Sequence, residues 1–112
     1  MKIRFAHQSI RYRASKAELG ILLSGRAAAL ELALPRDHTF RVNVRSSALG
    51  KWQLDSDPTG VWLTIPLVEL QALSESLPSR EGIGQQFALT NGGSVTVSFE
   101  VDVKERKEGD RG

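Results

Sequence analysis

The chain of 112 residues carries 15 basic and 13 acidic side chains, a formal charge of +2, and no cysteine. This length suits one domain, and the missing thiols exclude a disulfide framework, a thiolate zinc site and a cysteine nucleophile. The near balance of charges argues against nucleic acid as a partner, and no apolar run approaches the roughly 20 residues that a membrane helix needs. We therefore expect a cytoplasmic protein without a membrane partner, since no apolar signal segment follows the basic start of the chain.

Two alternating segments open the chain. Ile3 and Phe5 alternate with basic residues, and so do Ile10 and Tyr12. This period of two predicts two strands. The apolar positions change from odd to even between the segments, so residues 6–9 should hold a bulge, a bend or a turn.

A short helix and two further strands are predicted next. A capping-box pattern at Ser15 and Glu18 begins the helix, and Gly25 is a natural stop for it. Residues 27–34 and 40–45 then alternate between apolar and polar positions. Residues 27–34 could also form a helix, because alanine, leucine and glutamate favour one. We prefer a strand because the alternation is regular and the neighbouring strand is well patterned.

The second half of the chain also predicts strands and one helix. A strand at residues 52–54 is followed by a turn at 55–60 and a second strand at 61–65. A helix at residues 67–77 and a hairpin at 87–103 complete the chain. We therefore predict one α+β domain over residues 1–104. It should have a curved, predominantly antiparallel sheet of about six to eight short strands, with room for partial closure as a barrel, and two short helices. Residues 105–112 are charged and predict a flexible tail. No internal repeat is evident in the sequence.

Three short segments resemble the start of a family of short, uncharacterised bacterial proteins. They are residues 1–4, 9–13 and 15–19, where a basic strand precedes a capped helix. Residues 63–70, and residues 81–84 with the strand after them, are also similar to that family. The resemblance covers most of the domain and implies a bacterial cytoplasmic protein. It implies no activity, so it assigns no functional residues.

The leading candidate site is a set of arginines on predicted strands: Arg4, Arg11, Arg13, Arg41 and Arg45. Guanidinium groups bind phosphate and carboxylate through paired hydrogen bonds. If the strand faces align, these side chains could converge on a small anionic ligand. The break at residues 6–9 separates Arg4 from the next two arginines, so a single patch depends on how the chain bends there. Acids occupy outward positions on neighbouring strands, so mutual neutralisation across the sheet face is the preferred interpretation.

Two acidic patterns could hold a metal. Glu100, Asp102 and Lys104 share one face of a strand and resemble the Glu-x-Glu-x-Lys signature of the triphosphate-tunnel enzymes. In those enzymes the motif lies on the first strand of a tunnel of about eight strands, whereas here it lies on the last, so a solvated face is the preferred interpretation. Residues 55–60 imitate the first half of an EF-hand loop. Position 12 would be Pro66, where a glutamate is required, so we predict a plain turn.

No catalytic residue and no cofactor is predicted. His7 and His38 form no spaced metal pair, and no nucleophile motif accompanies them. The leading hypothesis is a small non-enzymatic binding or protein-interaction module that could form a homo-oligomer, with the last strand as a pairing edge if it is uncovered. The alternative is a sensor of phosphate or another anion, or a metal-dependent phosphohydrolase that uses Glu100 and Asp102.

Overall fold

The computed structural model describes residues 1–78 and 81–103 as two helices and eight strands. In chain order they are β1 (Lys2–Ala6), β2 (Ser9–Ser15), α1 (Lys16–Leu23), β3 (Ala28–Leu34), β4 (His38–Ser47), β5 (Gln53–Asp57), β6 (Gly60–Pro66), α2 (Leu67–Glu75), β7 (Ile83–Ala88) and β8 (Ser94–Asp102). The α+β class and the predicted order of elements are confirmed, including a strand at residues 27–34. The proposed tail at residues 105–112 lies outside the described residues.

The strands form two open sheets, in the orders β1-β2-β8-β7 and β3-β4-β6-β5. In each sheet the two outer pairs are antiparallel and the central pair is parallel. The mostly antiparallel pairing is confirmed, but the described strands divide between two sheets and form no closed barrel. The terminal strand β8 lies between β2 and β7, so it is not uncovered and does not offer the pairing edge considered from the sequence. The outermost strands are β1 and β7 in one sheet and β3 and β5 in the other.

The chain divides into two compact units, each built around one sheet. Unit 1 comprises Met1–Leu19 and Leu73–Gly112, and unit 2 comprises Gly20–Ala72. The division falls within both helices. Neither helix in the described part of the chain has the length and apolar character to cross a membrane. The single domain over residues 1–104 stays a prediction.

The core of unit 1 follows from the period of two in its central strands. One face of β2 and β8 is buried, and its side chains are Ile10, Tyr12, Ala14, Val97, Phe99 and Val101. Parallel pairing places Tyr12 directly beside Phe99, and both are fully buried. Burying a large apolar side chain contributes roughly 1.5–3 kcal/mol, so this face is a main source of the unit's stability. The opposite face carries Arg11 and Arg13, which stay exposed.

The core of unit 2 is built in the same way. The inward face of β4 and β6 buries Val42, Val44, Leu63 and Ile65. The first turns of α2 add Leu70, which is also fully buried. Trp62 lies on the other face of β6, where it is half-buried.

The two units repeat one another strand for strand. β1, β2 and α1 match β5, β6 and α2 at an offset of 51 residues, since Lys2 begins β1 and Gln53 begins β5. β3 and β4 match β7 and β8 at an offset of 55 residues, since Ala28 begins β3 and Ile83 begins β7. Every strand pairing is reproduced at these offsets: the parallel register Arg41↔Gly60, for example, becomes Thr96↔Ser9. The sequence predicts no internal repeat, whereas the described strands show one.

Equivalent hydrogen bonds support this repeat. The amide of Arg41 donates to the carbonyl of Thr59 at 2.9 Å, and the amide of Thr96 donates to the carbonyl of Gln8 at 2.9 Å. These two bonds occupy the same place in the two sheets. The repeat therefore extends from the topology to single contacts.

The helix starts show the same correspondence. The predicted capping box is present, because Ser15 Oγ accepts from the Glu18 amide at 3.1 Å and Glu18 Oε1 accepts from the Ser15 amide at 2.8 Å. Glu18 Oε2 also lies 2.8 Å from the N-terminal ammonium group. Glu69 is the equivalent residue in α2, and its Oε2 accepts from Trp52 Nε1 at 3.0 Å. In each half of the chain, a glutamate near the start of the helix therefore binds the residue just before the first strand of that half, which is Met1 in the first half and Trp52 in the second.

Candidate anion-binding site

The first two strands form a hairpin that brings the opening basic residues together. Residues 7 and 8 make the turn, in which Gln8 has a φ of 53°. The antiparallel register places Arg4 opposite Arg11 and Lys2 opposite Arg13. The change of apolar parity predicted at residues 6–9 is therefore the reversal of the chain, and it unites the arginines that it was expected to separate.

These side chains line an open cleft of about 340 Å³ on the exposed face of the sheet. Its lining residues are Lys2, Ile3, Arg4, Arg11 and Arg13. Like charges placed directly opposite across two strands destabilise the pair. Both cross-strand pairs in this cleft consist of two cations, so the hairpin gains stability from any negative charge that enters.

One carboxylate of the protein already serves part of this cluster. Glu100 on β8 lies directly beside Arg13 in the parallel register, and its side chain is only 14% exposed. Its Oε2 lies 3.3 Å from Arg11 Nε, and its Oε1 lies 3.7 Å from Arg13 Nη2. Glu100 therefore orients the two arginines of β2 from one side.

The two cations of β1, Lys2 and Arg4, differ in this respect. Within residues 1–78 and 81–103, neither Lys2 nor Arg4 takes part in an ion pair with a carboxylate. Both side chains are exposed. The cleft thus combines two arginines held by Glu100 with two cations that take part in no ion pair within the described residues.

The other two predicted arginines lie in unit 2 and on a different sheet. Arg41 Nε is 2.8 Å from Glu31 Oε2, across the β3–β4 pair. Arg45 Nε donates to Thr64 Oγ1 at 3.4 Å and lines a separate open cleft. The arginine set is therefore divided between two sheets, and only the residues on β1 and β2 share a cleft.

Sequence reasoning missed Lys2 as a member of this cluster. The signal was present, because a period of two places Lys2 on the same face of β1 as Arg4. What the sequence lacked was the hairpin register, which sets Lys2 opposite Arg13.

Glu100, one of the two acids considered as metal ligands, has another local role. Glu100 is bound by two arginines, so a metal would have to displace them. Lys104, the third member of that motif, lies outside the described residues. No group of three or more carboxylates or histidines that could hold a metal occurs in the described part of the chain.

The turn predicted at residues 55–60 is shorter in the structure, because Asp55–Asp57 extend β5 and only Pro58 and Thr59 connect it to β6. Local side chains stabilise this turn. Asp57 Oδ1 accepts from the amide of Thr59 at 2.7 Å and from its hydroxyl at 2.6 Å. These two hydrogen bonds lower the pKa of Asp57, because they favour the charged carboxylate. The carboxylate thus closes a turn, as predicted from the sequence.

Comparison with curated proteins and with solved structures found no match. A family model described as a family of unknown function (DUF7009) matches residues 1–111, which include every strand and helix described above. The chain therefore belongs to this family of unknown function, DUF7009.

Proposed function

We propose that the protein is a non-enzymatic binding module that holds an anionic group, a phosphate or a carboxylate, in the cleft of the β1–β2 hairpin. The observation that supports this most strongly is the hairpin register, which gathers Lys2, Arg4, Arg11 and Arg13 around one cleft. Arginine binds both kinds of anion through two parallel hydrogen bonds.

The electrostatics of the cleft favour a ligand with more than one negative charge. Glu100 compensates part of the charge of Arg11 and Arg13, while Lys2 and Arg4 have no ion pair within the described residues. Pyrophosphate or a tricarboxylate can contact both cations of β1 at once. The cleft is open to solvent, so we expect modest affinity that falls with added salt.

Thermal unfolding with and without pyrophosphate or citrate tests the proposal. At one hundred times the dissociation constant a ligand stabilises the folded state by about 2.7 kcal/mol, which moves the unfolding midpoint by several degrees. We expect that shift in the wild-type protein and its loss in Arg4→Gln. Arg4 suits this test because no ion pair in the described residues is broken by its replacement.

Arg41→Gln is the matched control, because Arg41 is an exposed strand arginine on the other sheet. It should keep the ligand-induced shift of the wild type. An equal shift in all three proteins, or no shift in any of them, contradicts the proposed site. A difference between the pyrophosphate and citrate shifts tells which anion chemistry the cleft prefers.

We place this binding module in the cytoplasm, as an expectation from a cysteine-free sequence that suits a reducing compartment.

A further inference from the structure

We propose that the protein self-associates by pairing the edge of β1 in one copy with the edge of β5 in another, as antiparallel strands. This inference goes beyond the anion site, since it uses the backbone edge of β1 as well as two of its cations. The occupant of the edge is a second copy of the same chain.

Both strands have a free edge in the described part of the chain. β1 is outermost in its sheet and pairs only with β2, while β5 is outermost in the other sheet and pairs only with β6. A free edge presents unpaired N–H and C=O groups that can accept another strand. The edge of β1 also carries Phe5, whose side chain is 56% exposed.

The charges of the two edges are opposite at equivalent positions. In the internal repeat Arg4 corresponds to Asp55, and each lies on the outer face of its sheet. Antiparallel pairing of the two strands sets Arg4 opposite Asp55, Lys2 opposite Asp57, and Phe5 opposite Leu54. This single register therefore joins two pairs of opposite charges and covers the exposed ring, and each such cross-strand pair is stabilising.

The backbone of the two strands has the phase that this register requires. Each strand enters a two-residue turn, from Ala6 to Ser9 in one hairpin and from Asp57 to Gly60 in the other. Residues alternate between positions that bond to the partner strand and positions that direct their groups outward. Phe5 and Leu54 both lie at positions that direct their backbone N–H and C=O groups outward, so these groups can form a hydrogen-bonded pair.

The same charges disfavour the competing pairings. Pairing of two β1 edges would place cations close to cations, and pairing of two β5 edges would place the carboxylates of Asp55 and Asp57 close to the same carboxylates of the other copy. Both arrangements are repulsive. Of the remaining described edges, β7 has no charged residue, and the one charged residue of β3, Glu31, is bound by Arg41. The β1 and β5 edges are thus the complementary pair among the described strands.

A charge-swap experiment tests the inference. Sedimentation velocity over concentrations up to about 1 mM should show a mass that increases with concentration, since an edge of this size supports only a weak affinity. Arg4→Asp alone and Asp55→Arg alone should each raise the dissociation constant roughly tenfold or more, because like charges then face each other. The double variant, Arg4→Asp with Asp55→Arg, should regain the wild-type association. Arg36→Asp, a charge reversal in the exposed β3–β4 turn, should leave it unchanged.

The variants also distinguish failure of the self-association from failure of the proposed anion site. Asp55→Arg should weaken association and keep the pyrophosphate-induced shift, whereas the double variant should regain association without that shift. A strictly monomeric wild type overturns the inference. The inference also fails if the two single variants and the double variant are all monomeric. Circular dichroism confirms that each variant is folded, and the mass at saturation distinguishes a closed dimer from an open chain, either of which supports the pairing.

Discussion

Replacement of Tyr12 by phenylalanine should stabilise the protein. Tyr12 lies on the core face of β2, fully buried, and its hydroxyl has no hydrogen-bond partner among the described residues. A buried hydroxyl without a partner costs about 1–3 kcal/mol, because it loses its bonds to water and gains none. Tyr12→Phe keeps the ring beside Phe99 and removes only this oxygen.

We expect Tyr12→Phe to raise the free energy of unfolding by about 1 kcal/mol, the lower end of that range, because removal of the oxygen leaves a small void. For a chain of this size the unfolding midpoint rises by roughly 4 °C. Urea unfolding followed by the fluorescence of Trp52 and Trp62 measures the change. A loss of stability of similar size would refute the reasoning, since it would mean that the hydroxyl is hydrogen-bonded.

The same residue predicts a loss of stability at high pH. Burial raises the pKa of Tyr12 to about 12, because desolvation penalises the charged form, while the unfolded chain ionises near the ordinary value of about 10. Between these values the unfolded state has lost a proton that the folded state keeps. Stability is therefore unaffected below about pH 10 and falls by up to roughly 2.7 kcal/mol by about pH 12.

Ionisation of Tyr12 can be measured directly, because it is the only tyrosine in the chain. Well below about pH 12 its near-ultraviolet absorbance should change only when the protein unfolds, and Tyr12→Phe should remove that part of the pH dependence of stability. A folded protein that shows the tyrosinate absorbance near pH 10 would contradict full burial of the hydroxyl.

Three further substitutions give independent tests. Partial burial alone would raise the pKa of Glu18, but the hydrogen bonds from the N-terminal ammonium group and Ser15 outweigh it and lower the pKa. Glu18 therefore stabilises the fold near neutral pH, and this stabilisation disappears as the pH falls. Glu18→Gln should be less stable than the wild type near neutral pH and should show a smaller loss on acidification, as urea unfolding at several pH values will show. Gly60→Ala should destabilise the fold by roughly 2 kcal/mol or more, because its Cβ would collide with the carbonyl oxygen of Arg41, and an unchanged thermal midpoint would contradict this. Gly20→Ala, in a helical position with open space around the new Cβ, should instead stabilise by about 1 kcal/mol in the same assay, and a lower midpoint would count against a regular helix there.

The local elements could be predicted from the sequence because their signals are local. Period-two alternation marks the strands, and the capping box at Ser15 marks the start of α1. Strand order depends on contacts far apart in the chain, which alternation does not encode. For that reason the sequence left open whether β8 is an uncovered edge, and the structure places it at the centre of its sheet.

The candidate site shows the same limit. Alternation placed Arg4, Arg11 and Arg13 on polar faces, but only the hairpin register shows that they share a cleft. Arg41 and Arg45 carry the same sequence signal and belong to the other sheet. The residue type and its parity were therefore predictable, and the partner strand was not.

The internal repeat was hidden because few of its aligned residues are identical. The identical pairs are Glu18 and Glu69, Leu19 and Leu70, Leu22 and Leu73, Ala33 and Ala88, Leu34 and Leu89, and Val42 and Val97. The offset also changes from 51 to 55 after the helix, which breaks any alignment at one fixed spacing.

Each sheet combines hairpins from both halves of the chain, and this arrangement has an evolutionary consequence. Each sheet takes one hairpin from the first half of the chain and one from the second. An ancestral chain of half this length would complete both sheets by pairing with an identical copy, and every mutation in it would appear twice. A single chain that holds both copies lets them diverge, and the opposite charges of Arg4 and Asp55 are a difference that two identical copies cannot have.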